Sequence, residues 1–203
     1  MKIGLLGGAF DPPHNGHLAV ARAVHAACGL DRIDLLVSGQ SPHASGKRNS
    51  SQPADRLAMA WLLAAAEPWL AVEDLEVHRD GPSYTVLTLR ELKQLHPDDE
   101  FRFIIGGDML ADLPHWREIH EVLQLADFIP VLRPGFGAAV FAGLRGKLGA
   151  EAVARLEAAL VPMQQQDISS TKIRNAVAGG ESIAALVPPA IETYIRAHRL
   201  YAP

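Results

Sequence analysis

The chain has 203 residues, carries a formal net charge of −4 and is 48% hydrophobic. That length suits one domain with a sizeable core, and the hydrophobic share excludes a disordered chain. The acidic balance provides no field to draw the chain to DNA, RNA or anionic lipid, so any anion binding has to come from a local site.

Residues 2–6 form a continuous apolar run, the pattern of a strand buried in a parallel sheet. Met1-Lys2 leads straight into it without a basic start and an apolar leader, so the expectation is a cytoplasmic protein. Gly7-Gly8-Ala9-Phe10 follow, then a turn carrying His14 and His17, with a helix beginning at about Gly16. Glycines let a backbone approach a ligand closely. The first turn of a helix offers unpaired N–H groups and the positive end of its dipole. Strand, glycine turn and helix start together make an anion site. Two imidazoles add compact donors that need not carry full charge. Gly-Gly alone is ordinary punctuation and a single histidine is commonly structural, so the weight lies on the whole ordered string. It predicts a phosphate site for a nucleotide.

The helix runs to residue 28, with Leu18, Ala21, Val24, His25 and Cys28 at three-and-four spacing and Gly29 as its stop. Cys28 is the only cysteine. It excludes an intrachain disulfide and a Cys-rich metal site, and is expected to be a buried helical thiol. Residues 33–37 read as the next strand, and such a β-α-β crossover is right-handed in nearly all cases. Residues 38–52 are polar, contain Pro42, His43, Lys47 and Arg48, and are too long for an idle connection, which suggests a flexible active-site loop.

A helix over 53–67 starts with Pro53 in its first turn. A strand over 69–75, a turn at Gly81-Pro82-Ser83-Tyr84 and a helix over 84–96 follow. The apolar run 101–105 closes on Gly106-Gly107-Asp108. Short helical pieces cover 109–113 and 116–125, and a strand over 127–132 ends in Arg133-Pro134-Gly135. Residues 138–160 are Ala-rich and helical, broken near 143–149, with a last short strand over 162–167. Ile168-Ser169-Ser170-Thr171 is an N-cap run opening a helix through residue 178, and 188–198 is the closing helix. No apolar run reaches the roughly 18 residues needed to span a bilayer.

The alternation predicts an α/β chain with a doubly wound, Rossmann-like, open and mostly parallel sheet and helices on both faces. It is expected to be one domain over residues 1–203, its helical part from about 168 completing the site. Ligands of such sheets sit beyond the carboxyl ends of the strands. Gly7-Gly8, Gly106-Gly107-Asp108 and Arg133 all fall just after predicted strands. The cluster Ile168-Ser169-Ser170-Thr171-Lys172-Ile173-Arg174 can be a plain helix cap. It can equally be a second anion site, because Arg174 lies one turn in and a guanidinium fork suits phosphate oxygens. An anion site near each end of the chain suits one long polyphosphate.

These two segments together resemble the nucleotidyltransferase superfamily with HxGH and ISSTxxR motifs. Gly81-Pro82-Ser83-Tyr84-Thr85, Phe103-Ile104-Ile105-Gly106-Gly107-Asp108, Trp116 and Leu132-Arg133-Pro134-Gly135 make the chain similar to the bacterial nicotinate-nucleotide adenylyltransferase family, over nearly its whole length down to Leu200-Tyr201.

The resemblance implies that ATP and nicotinate mononucleotide give deamido-NAD and pyrophosphate by in-line attack on the α-phosphorus. It implies that His14 and His17 hold α- and β-phosphate oxygens and that Arg174 completes the catalytic set. Gly7, Gly8, Ala9 and Phe10 would present backbone N–H groups, while Ile168, Ser169, Ser170 and Thr171 grip the distal phosphates. Gly106 and Asp108 would meet the ribose and Arg133 would stack on adenine. The mononucleotide falls to His43, Lys47, Tyr84, Thr85 and Trp116, with Trp116 against the pyridine ring. Magnesium would arrive with ATP, and no residue is assigned to a metal. From spacing alone Asp108 reads as well as a helix cap, Arg133 as a strand-end charge, Trp116 as core and Tyr84-Thr85 as helix initiation.

Ser41-Pro42-His43-Ala44 departs from the family, which often has a base directly after that histidine. Lys47 or Arg48 could supply it. Arg117 stands where some relatives carry an aromatic residue. Alternative readings are an acceptor such as nicotinamide mononucleotide or phosphopantetheine, and a nucleotide-binding module without chemistry. Neither nucleic acid nor membrane is expected as a partner, and the oligomeric state stays open.

Overall fold

The computed structural model describes residues 1–40, 51–132, 137–164 and 166–202, apart from the side chain of Ala138. His43, Lys47, Arg48 and Arg133 lie outside the described residues. The elements in order are β1 (Lys2–Gly8), α1 (Asn15–Cys28), β2 (Arg32–Val37), α2 (Pro53–Ala64), β3 (Leu70–Glu73), α3 (Thr85–Leu95), β4 (Glu100–Gly106) and α4 (Gly107–Asp112). A 3-10 turn at Leu113–His115 leads to α5 (Ile119–Leu125), β5 (Asp127–Leu132), α6 (Gly137–Leu148), α7 (Ala150–Ala158), β6 (Val161–Pro162), α8 (Ser170–Ala178) and α9 (Pro189–Ala197).

The strands form a six-stranded sheet in the order β3-β2-β1-β4-β5-β6. β1 pairs with β4 in parallel with Leu5 opposite Phe103, and β4 with β5 with Phe103 opposite Phe128. β5 pairs with β6 in parallel as well. Strand order runs one way from β1 to β3 and the other way from β4 to β6, which is the doubly wound arrangement read from the alternation. The change of direction falls at β1 and β4, whose carboxyl ends carry Gly7-Gly8 and Gly106.

The chain divides into two compact units. The first comprises Met1–Gly7, Arg22–Asp34 and Tyr84–Gln165. Its core lies on both faces of β1, β4 and β5: by the register Ile3, Leu5, Phe101, Phe103 and Phe128 share one face and Ile104 and Ile129 the other, with Val86, Leu89 and Leu92 of α3 and Leu156 of α7 buried in the same unit. The second comprises Gly8–Ala21, Leu35–Ser83 and Gln166–Pro203. Phe10, Leu18, Leu35 and Val37 are buried there with Met59 and Leu63 of α2, Ile173 of α8, and Ile191 and Ile195 of α9. The three-and-four spacing of these residues dictates which helical face turns inward.

Several boundaries shift for local reasons. α2 ends at Ala64, because Ala66 and Glu67 donate to carbonyls only three residues back, to Leu63 and Ala64. β3 stops at Glu73, where the Val77 N–H bonds the Asp74 carbonyl and turns the chain. The Ala-rich helix divides at Gly149, whose φ of 85° suits a residue without Cβ. The last strand is Val161–Pro162 rather than 162–167. Cys28 is only half-buried; partial burial raises its thiol pKa and nearby Arg102 opposes the shift.

Candidate active site

Within the second unit the chain leaves β1 at Gly8 and enters α1 at Asn15. Phe10 takes a left-handed φ of 50° with its ring buried, 5.0 Å from the ring of His17. The His14 carbonyl accepts the N–H groups of His17 and Leu18, closing the first turn of α1. Asn15 ties that turn to the 185–186 segment through its N–H to Leu186 and its side-chain amide to Ala185.

The imidazoles of His14 and His17 stack at 3.7 Å between centroids, 28° from parallel. A Cβ on Gly16 would lie 3.0 Å from the His14 ring, tighter than ordinary contact, so any larger residue there would have to shift that ring by a few tenths of an ångström. The His14 backbone N–H donates to Nδ1 of His17 at 3.2 Å. With Nδ1 accepting, the proton of neutral His17 sits on Nε2, which becomes the free donor. Nδ1 of His14 is buried and has no hydrogen-bond partner among the described residues.

Burial lowers the His14 pKa to about 4, and burial followed by repulsion from His14 drives His17 well below its usual value. Both rings are therefore neutral near pH 7. The consequence for stability has a definite sign. The unfolded chain binds a proton near pH 6.5 that folded His14 refuses until about pH 4. Stability is whole above pH 6.5 and falls as pH drops toward 4, by about 3 kcal/mol from His14 alone. Urea unfolding at pH 7 and pH 4.5 should show this loss, and His14→Asn should flatten the acid limb. An unchanged limb in that variant would contradict the assignment.

α8 brings its cluster to the same unit. Ser169 caps the helix by accepting from the Lys172 N–H at 3.3 Å. Ser170 Oγ donates to the Pro12 carbonyl at 2.8 Å. Arg174 donates from Nη1 to the Asp11 carbonyl at 2.7 Å and from Nη2 to Thr171 Oγ1 at 3.2 Å. The three hydroxyls expected to grip phosphates thus already have partners inside the protein. What α8 offers an anion is its first-turn backbone and the remaining edge of a guanidinium already held in place. Gly8, Ala9, Phe10, His14, His17, Ile168, Ser169, Ser170, Thr171 and Arg174 are all in this unit.

The first unit holds Gly7, Tyr84, Thr85, Gly106, Asp108 and Trp116. Tyr84 is the N-cap of α3 without a side-chain cap bond. Its carbonyl accepts from Leu87 and Thr88, and the N–H groups ahead of them belong to the unpaired first turn. Asp108 is exposed in the first turn of α4, whose N-cap is Gly106, so it does not cap the helix. Trp116 is 8% exposed, with its ring edge-on to Phe103 at 5.7 Å and to Phe128 at 6.0 Å. In this arrangement its indole belongs to the aromatic core. The Arg117 guanidinium lies 4.9 Å over the Tyr84 ring, a cation–π contact at the position where some relatives carry an aromatic residue.

One site-building residue went unread in the sequence. Arg56 of α2 is 1% exposed and donates to the carbonyls of Ala9 at 2.8 Å, Ser38 at 2.6 Å and Gly39 at 3.2 Å. It stitches the turns after β1 and β2. Gly39 has no alternative, since a Cβ there would stand 2.1 Å from the Glu76 carbonyl oxygen. The only signal was a lone guanidinium in Leu57-Ala58-Met59-Ala60 surroundings. Among the described residues no helix is long and apolar enough to cross a membrane, and no cluster of three or more His, Cys, Asp or Glu side chains is placed to hold a metal ion.

The description "Cytidylyltransferase-like" fits residues 5–176 as a family model. A Bacillus pumilus protein named "Probable nicotinate-nucleotide adenylyltransferase" is 39% identical over 98% of both chains. Proteins of the same name from Synechococcus sp. and Roseiflexus sp. are 41% and 42% identical over 98% of this chain, covering 94% and 97% of theirs. Among solved structures, a Plasmodium falciparum nicotinic acid mononucleotide adenylyltransferase complexed with NaAD superposes with a TM-score of 0.75 at 20% identity, over 98% of this chain and 97% of that one. At that identity the likeness speaks for the fold.

Proposed function

We infer the reaction from a plain premise: this chain belongs to the nicotinate-nucleotide adenylyltransferases of the cytidylyltransferase-like family. It is a nucleotidyltransferase of NAD biosynthesis, joining ATP to nicotinate mononucleotide and releasing pyrophosphate. A phosphate oxygen of the mononucleotide attacks the ATP α-phosphorus, the α–β bridge breaks, and its electron pair leaves on pyrophosphate. The nucleophile is already ionised, so no base has to remove a proton. The protein's task is placement and charge stabilisation.

The observation that carries this reading is the neutral histidine pair. His17 presents Nε2–H because Nδ1 is occupied, its ring is stacked on His14, and Arg174 is anchored to the Asp11 carbonyl three residues before that pair begins. We assign His14 and His17 to α- and β-phosphate oxygens, as donors rather than acid–base groups, and Arg174 to the departing pyrophosphate. Backbone N–H groups from Gly7 to Phe10 would meet the reacting phosphates. Ile168 to Thr171 would offer the first turn of α8 to the distal ones. Magnesium would come with ATP, since this ion keeps most of its waters and needs few protein ligands.

Gly106 and Asp108 are assigned to the adenosine ribose and Arg133 to the adenine face. The open first turn of α3, at Tyr84 and Thr85, suits the nicotinate carboxylate. Trp116 remains the proposed neighbour of the pyridine ring; the indole has to leave its aromatic cluster or meet the ring with its exposed edge. His43 and Lys47 are assigned to the mononucleotide. We assign the reaction to the cytoplasm, in keeping with its small phosphorylated substrates.

Carboxylate recognition by N–H donors gives a direct test. A carboxamide would turn its NH2 toward another donor, at a cost of about 1–3 kcal/mol. Turnover with ATP should therefore favour nicotinate over nicotinamide mononucleotide by about 10–100-fold in kcat/KM. Preference for the carboxamide would overturn the assignment of α3. Pantetheine phosphate as sole acceptor would overturn the reaction.

A further inference from the structure

The last residues of the chain return to the turn that carries His14. Tyr201, with a left-handed φ of 62°, places its hydroxyl 2.8 Å from Oδ1 of Asp11, to which it donates. Ser51 Oγ donates to the same oxygen, and the two hydroxyls lie 3.4 Å apart. Asp11 is 2% exposed. Its own carbonyl is the acceptor for Nη1 of Arg174, and the next carbonyl, of Pro12, accepts from Ser170. One short stretch, 11–12, is thus gripped by side chains from positions 51, 170, 174 and 201. The segment leading to Tyr201 is itself fastened, because Tyr194 donates to Asp55 of α2 at 3.0 Å. All these residues belong to the second unit.

We propose that Tyr201 is a positioning residue of the transfer reaction, a C-terminal strap that fixes Asp11 and through it both the His14 turn and the anchor of Arg174. It touches neither substrate. A buried carboxylate needs donors to stay in place, since a polar group left unpaired away from water is costly. Burial, with the Asp11 charge adding to it against the opposing Ser51 hydrogen bond, raises the Tyr201 pKa far above its usual value, so the hydroxyl remains a donor throughout the neutral range. A transition state held by preorganised donors is sensitive to small displacements of its holders, whereas ground-state ATP binding tolerates them better. The strap should therefore act on kcat.

This deepens the reading above and rests on it. In steady-state assays with ATP and nicotinate mononucleotide, well below the melting midpoint, Tyr201→Phe should lower kcat about 10-fold while KM for ATP changes less than about 3-fold. Ser51→Ala, which removes a second donor to the same oxygen, should lower kcat in the same direction. In Asp11→Asn the Tyr201→Phe effect should largely vanish. A Tyr201→Phe enzyme with kcat within 2-fold of the parent would overturn the strap, even if its melting point fell. So would full additivity with Asp11→Asn. Hydrogen exchange separates this from the reading it rests on: Tyr201→Phe should speed exchange of the 14–18 amides about 10-fold whether or not the chain turns over these substrates. Unchanged exchange would overturn the strap, while an inactive parent enzyme would overturn the reaction alone.

Discussion

His17→Ala should lower kcat by about 10²–10³-fold, the loss seen when one preorganised donor to a developing oxyanion is removed. His17 is neutral because burial, reinforced by His14, opposes its protonation. Its Nε2–H is fixed as the donor by the His14 N–H on Nδ1. A fixed neutral donor contributes most where charge grows, on the oxygens around the α-phosphorus, and less to ground-state ATP. Equilibrium binding of a non-hydrolysable ATP analogue should accordingly weaken by much less than kcat falls. His17→Gln, which keeps an N–H donor on a different stem, should recover part of the loss. A His17→Ala enzyme within a few-fold of the parent would sink the role given to this ring.

Arg56→Met should be the most destabilising single change in the second unit, by about 4 kcal/mol. The side chain is buried and donates to three carbonyls belonging to two separate turns. Methionine matches much of the volume but none of the donors, so the carbonyls of Ala9, Ser38 and Gly39 lose their partners together. Burial lowers the Arg56 pKa and the charge of Asp11 opposes that shift, yet the guanidinium stays ionised at any working pH. At about 2–4 °C per kcal/mol for a chain of this size, the melting midpoint should fall by about 8–16 °C. Arg56→Lys should fall between the two, since one ammonium cannot span carbonyls that a planar fork reaches. A shift under about 3 °C in Arg56→Met would show that the stitching is dispensable.

The order of elements was legible because apolar runs of period near 2 and near 3.6 alternate along the chain, and each has to bury one face. The short ends were less legible. β6 shrinks to Val161–Pro162 and α2 stops at Ala64, because edges are decided by a few backbone hydrogen bonds that periodicity does not register. The histidine pair and the α8 cap were visible as strings of residue types. Their roles inside the protein were not, since Ser170, Thr171 and Arg174 turned out to be holding each other and the 11–12 stretch.

Local features are written in neighbouring residues: which segments are strands and helices, where glycines allow a close approach, and which residue types can hold a polyphosphate. These depend on neighbours within a turn or two. Folding is needed to see that His17 is neutral and which of its nitrogens donates, that Trp116 lies among Phe103 and Phe128, and that Arg56 and Tyr201 support the site from 45 and 190 positions beyond Asp11. Protonation follows from burial, and burial from packing between residues far apart in the chain. A backbone carbonyl that needs a donor leaves no mark in the sequence, so the residue that supplies one is found only when the chain is folded.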